Sequence, residues 1–111
     1  MTKEIEKHIG SAVGLELKRA KEMHGSFNSS HEAFAVLQEE IDEVVDEIEA
    51  IAKLSRRFWE AVKENDLDDQ EQALRCMKVR AEKLMIESVH AGAMVVKALE
   101  SVSEFKEGQN G

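Results

Sequence analysis

The chain has 111 residues, 34% of them charged, a formal net charge of −8 and no proline. That length predicts one domain, residues 1–111, with little room for a second core. The acidic balance argues against a nucleic-acid partner, because phosphate backbones are repelled by such a field.

Other totals point the same way. Aromatic residues make up only 5%, so aliphatic side chains must build the core. The single cysteine, Cys76, cannot close an intrachain disulfide and gives no sign of an oxidising compartment. The opening MTKEIEKHIG is too charged for a signal peptide. No apolar run reaches the ~18 residues of a membrane span. The expectation is a cytoplasmic protein with no membrane partner.

In chain order, the first helix is predicted over about residues 3 to 23, where Ile5, Ile9, Val13, Leu17 and Ala20 form one apolar stripe. The segment HGSFNSS breaks that pattern. Ser29 and Glu32 then stand in the S-x-x-E arrangement of a capping box. The helix that follows carries Phe34, Leu37, Ile41, Val44, Val45, Ile48 and Ile51 at helical spacing. The pattern runs on through Leu54, Phe58 and Val62. A length of that order predicts a bend or break near residues 53–57 and a separate, shorter helix ending near Glu64. ENDLDDQE reads as a turn. Asp68 and Glu71 form a second cap-like pair, so the last helix is expected from about Asp69 to Phe105, with a frayed tail KEGQNG. The fold class is all-α: an antiparallel bundle of about four helices, completed by oligomerisation.

Two clusters on these helices carry chemistry. In EEIDE, Glu39 and Glu43 lie about 40° apart around the helix, and Glu40 and Glu43 about 60°. One sector therefore presents several carboxylates, the donors a hard divalent cation takes. An ordinary solvated acidic face explains the same spacing. Val36 and Ala50 fall in that sector and suggest contact with something other than water.

The second cluster is ESVHAGAM. From Leu84 to Val102 apolar residues surround the helix, which predicts burial on all sides. A carboxylate in such a place must be paired, protonated or metal-bound, which makes Glu87 informative. His90 lies about 60° away and can share a ligand with Glu87 or act as a core histidine. Ala91 and Gly92 are small enough for a backbone or a ligand to come close.

Together these segments resemble the all-α nucleoside triphosphate pyrophosphohydrolases of the MazG-like superfamily. The resemblance covers about Ser29 to Leu99. SSHEAFAVLQEEIDEVVDEI is similar to the E-E-x-x-E helix, and AEKLMIESVHAGAMVVKAL to the later helix that carries E-x-x-D. It implies that Glu40 and Glu43 are metal ligands, that Glu39 helps place metal or the attacking water, and that Glu87 is a further ligand. Lys97 falls where a basic residue would contact substrate phosphate. The implied cofactor is Mg²⁺, with Mn²⁺ as an alternative. The implied substrate is a nucleoside triphosphate cleaved to the monophosphate and pyrophosphate, and the implied assembly is a homodimer or homotetramer.

This chain departs from the family twice. His90 replaces the E-x-x-D aspartate, and as a candidate metal ligand its imidazole suits a transition ion better than Mg²⁺. The stretch between the motifs, residues 50–76, is longer than usual and reads as an extra helix, lid or oligomer contact. Within it Trp59 could stack a base or simply pack in the core. Two other functions fit the residues. Glu87 and His90 with Glu40 or Glu43 make half of a ferritin-like di-iron site. A non-catalytic helical oligomer that keeps the fold is the third reading.

Overall fold

The structure is a computed structural model that describes residues 2–110, Asn110 by its backbone alone. It contains three α-helices: α1 Lys3–His24, α2 Ser30–Lys63 and α3 Leu67–Asn110. No strand occurs among the described residues. None of the helices is long and apolar enough to cross a membrane.

Each helix starts on a side-chain cap. The Thr2 hydroxyl accepts from the Ile5 amide at 3.4 Å and opens α1. The Ser29 hydroxyl accepts from the Glu32 amide at 3.1 Å and opens α2, as the capping box predicts. The Glu32 carboxylate accepts from Asn28 Nδ2 at 3.3 Å. Asp66 opens α3 by accepting from the Asp69 amide at 3.0 Å. The Asp68–Glu71 pair therefore lies inside the helix, and α3 begins two residues earlier than its spacing suggests.

Two sequence expectations are corrected. The helix over residues 30–63 has no break at residues 53–57. That stretch holds neither Pro nor Gly, and its apolar residues keep the helical period, so nothing interrupts the backbone ladder. Among the described residues there are thus three helices where about four were expected. The C-terminal tail also stays helical to Asn110; Gly111 lies outside the described residues.

The helix ends follow from local chemistry. Gly25 closes α1 at φ 68°, with its amide donating to the Lys21 carbonyl at 2.8 Å. At the end of α2, Asn65 takes a left-handed φ of 57°. Asp66 N–H donates to the Ala61 carbonyl at 3.0 Å and Asn65 N–H to the Val62 carbonyl at 3.1 Å. This pair of bonds is a Schellman motif, which turns the chain sharply into α3.

The fold divides into two compact units. One takes the chain up to Ile41 and again from Ser88; the other is Asp42–Glu87. The first has a core of Ala20, Phe27, Ala33, Ala93 and Met94, flanked by Val13, Leu17, Val36, Leu37 and Ala98. Phe27 is anchored by its own amide, which donates to Ser101 Oγ at 3.2 Å.

The second unit is a helical hairpin. Ala61 and Ala73 are buried, and their small side chains permit close approach of α2 and α3. Glu47, also buried, meets Arg80 at 3.3 Å and Lys83 at 3.2 Å. Arg57 donates to both carboxylate oxygens of Asp69 near the turn.

The all-round burial expected of residues 84–102 holds on one side only. Ala93, Met94, Lys97 and Ser101 are buried, whereas Met85, Ile86, Val95, Leu99 and Val102 are exposed. A chain of this size supplies packing partners for one face of so long a helix. Trp59 is also exposed, so it does not pack as core.

Candidate metal and ligand site

The first unit contains a cleft of about 400 Å³. Its apolar lining comes from Ala20 of α1, Phe27 of the α1–α2 loop, Val36 of α2 and Met94 of α3. Its polar lining combines carboxylates (Glu16, Glu32 and Glu40) with basic groups (Arg19, His24, His90 and Lys97). The helical register explains this grouping. Glu40 follows Val36 by one turn, Lys97 follows Met94 by three residues, and His90 precedes Met94 by four.

Glu87 is tied to this group through its own helix. It stands three residues before His90 on the unbroken α3, so one turn of helix fixes the two side chains on adjacent positions of a face. Glu40, Glu87 and His90 each offer one ligand atom, and these three atoms all lie within 4.8 Å of one another. All three residues are half-buried, and the Oε2 atoms of Glu40 and Glu87 are withdrawn from solvent. Two carboxylates and an imidazole at this separation can hold a divalent ion. The mixed oxygen and nitrogen donors suit Mn²⁺ or iron better than Mg²⁺, which favours an all-oxygen shell.

The other candidates are placed as follows. Lys97 lines the same cleft as Glu40 and His90. It is only 5% exposed, and its ammonium sits 4.2 Å from the centre of the Phe27 ring. Aromatic contact of this kind stabilises a cation that water reaches poorly. Glu39 and Glu43 are exposed on α2, and neither belongs to the walls of the cleft. Glu40, Glu87 and His90 thus each offer a ligand atom to one cluster, and Lys97 lines the same cleft as Glu40 and His90.

A further residue comes from α1, outside both acidic motifs. Glu16 is a wall of the cleft, and its Oε1 lies 4.0 Å from His90 Nε2. Arg19 Nε donates to Glu16 Oε2 at 2.9 Å, and Arg19 Nη2 pairs with Oε1. The Arg19 hydrogen bonds hold the Glu16 carboxyl below its usual range; burial opposes them, and the charges of His90 when protonated and of Arg19 add to the lowering. A signal was present in the sequence. Glu16 stands between Val13 and Ala20 at spacings of three and four, so a carboxylate interrupts the apolar stripe of the first helix.

No protein-family model matches the chain, and no curated protein or solved structure is significantly similar to it.

Proposed function

We propose that the chain is a divalent-metal-dependent nucleoside triphosphate pyrophosphohydrolase of the MazG-like kind. The observation that carries this reading is the convergence of Glu40, Glu87 and His90 to within 4.8 Å, with Lys97 lining the cleft beside Glu40 and His90. Carboxylates to hold a cation and a buried ammonium to meet a phosphate are the two requirements of a nucleotide polyphosphate site.

In this reading Glu40, Glu87 and His90 hold the ion, and Mn²⁺ fits the donors better than Mg²⁺. When bound, such an ion polarises phosphoryl oxygens and lowers the pKa of a bound water. Lys97, held above Phe27, supplies positive charge to the phosphate chain. The apolar lining of Ala20, Phe27, Val36 and Met94 limits the water around a bound substrate. Water attacks the α-phosphorus, the bond to the α–β bridging oxygen breaks, and pyrophosphate leaves the monophosphate behind. Glu39 and Glu43 enter this proposal through the family resemblance alone. Oligomerisation as a homodimer or homotetramer belongs to the same proposal and is supported by the exposed Met85, Ile86, Val95, Leu99 and Val102 of α3.

The test is incubation of the purified protein with a panel of nucleoside and deoxynucleoside triphosphates plus Mn²⁺ or Mg²⁺. Pyrophosphate and monophosphate should accumulate, and Glu87→Gln should remove the activity. Turnover of none of the panel by metal-loaded protein would overturn the reading.

His90 within the cluster favours one alternative. Glu-x-x-His on α3 with a glutamate on α2 is half of a ferritin-like di-iron site, which a two-fold copy would complete. Iron in the purified protein, with near-ultraviolet absorbance and no nucleotide turnover, would establish that reading instead.

A further inference from the structure

The contact between α1 and His90 has no part in the reaction scheme above. We propose that Glu16 is a positioning residue for His90: it accepts from Nε2–H, fixes the imidazole in that tautomer and leaves Nδ1 as the ligand nitrogen. This inference rests on the metal reading for its consequence, and on geometry alone for the pairing.

Three observations support it. Glu16 Oε1 faces His90 Nε2 at 4.0 Å, about 1 Å beyond a hydrogen bond, and both residues wall one cleft. The Glu16 carboxylate is itself held on both oxygens by Arg19, one turn further along α1. Its side chain is only 14% exposed, so Glu16 is a held carboxylate, and a movement of about 1 Å by the imidazole brings Nε2 within hydrogen-bond reach of it. A metal-binding histidine commonly gives its second ring nitrogen to a carboxylate, which sets the tautomer and raises the basicity of the ligating nitrogen. The Arg19–Glu16–His90 series supplies that arrangement from a helix outside both acidic motifs.

The pairing is tested on metal-free protein by nitrogen-15 NMR of the imidazoles, with His90 assigned from a His90→Gln variant. The wild type should show His90 protonated on Nε2. Glu16→Ala should shift it towards a mixture of tautomers, and Glu16→Gln should lie between. Thermal unfolding of the variants reports whether they fold, and Glu16→Gln, which keeps the side-chain shape, carries the comparison if Glu16→Ala does not. Titration with Mn²⁺, followed by its electron paramagnetic resonance, should show affinity reduced about 10-fold in Glu16→Ala. A wild-type His90 protonated on Nδ1, or a tautomer unchanged in both variants, overturns the proposal. A wild type whose Nε2–H tautomer shifts in Glu16→Ala yet binds no Mn²⁺ supports the pairing and overturns the metal reading alone.

Discussion

The Lys97 ammonium lies 4.2 Å from the centre of the Phe27 ring, and the Phe27 amide donates to Ser101, one turn beyond Lys97 on α3. One loop residue is thus held by two successive turns of a helix. Phe27 is 4% exposed, so Phe27→Ala should destabilise the protein by about 3 kcal/mol through the cavity it leaves. Ser101→Ala leaves the buried Phe27 N–H unpaired and should cost ~1–2 kcal/mol. Urea unfolding of both variants checks the pair; a loss under ~0.5 kcal/mol for Phe27→Ala would mean the loop is not anchored this way.

The cation site predicts a thermal response. Mn²⁺ at about 100 times its dissociation constant should add roughly 2.7 kcal/mol of stability, visible as a raised Tm. Glu40→Gln and Glu87→Gln should each lessen that gain by weakening binding at least about tenfold. Equal shifts in wild type and both variants would place the ion elsewhere.

The hairpin turn predicts a substitution with a sign. Asn65 has φ 57°, a conformation in which a side chain without a local hydrogen bond is strained. Asn65→Ala should cost about 1 kcal/mol, and Asn65→Gly should be neutral or better. Chemical denaturation of the two variants side by side distinguishes them, and equal stability would remove the argument.

Gly92 offers the opposite case. A methyl group there would meet Val13 Cγ2 at 3.5 Å, an ordinary contact. Gly92→Ala should therefore fold and gain up to ~1 kcal/mol from helix propensity. A lowered Tm would show that the two helices approach more closely than this distance.

Acid should loosen the Arg57–Asp69 contact. The Arg57 hydrogen bond holds the Asp69 carboxyl below its ordinary value of 3.8. A lowered folded-state pKa contributes stability that is complete above the unfolded value and disappears as pH falls through the folded one. The Tm difference between wild type and Asp69→Asn should be small, since both side chains are well exposed. It should be constant above about pH 5 and shrink below about pH 4. A difference that grows on acidification would contradict the assignment.

The helical period made much of this fold readable. Of the predicted stripe, Val13, Leu17 and Ala20 pack as its spacing requires while Ile5 and Ile9 stay exposed, and the Ser29 cap lies where the S-x-x-E pattern puts it. Other features depended on information that spacing does not carry. The continuity of α2 through residues 53–57 follows from an uninterrupted pattern, whereas the expected break rested on helix length alone. Asp66, not Asp68, caps α3, because the left-handed Asn65 sets where the chain turns. Glu40, Glu87 and His90 could be picked out as chemistry-bearing residues. The placing of Glu16 opposite His90 could not, since it requires knowing which side of α1 meets α3.

The order of the two compact units along the chain has a kinetic consequence. Asp42–Glu87 is one continuous stretch turned on three residues, so its helices meet through short-range loop closure. The unit that holds the cleft is assembled from segments on either side of that stretch, and its contacts span a much larger sequence separation. Low contact order favours early formation. The hairpin should therefore act as the folding nucleus, and His90 and Lys97 reach Glu16 and Phe27 only once it has brought the ends of the chain together. Substitutions at Ala61 or Ala73 should slow refolding, whereas those at Phe27 should chiefly speed unfolding.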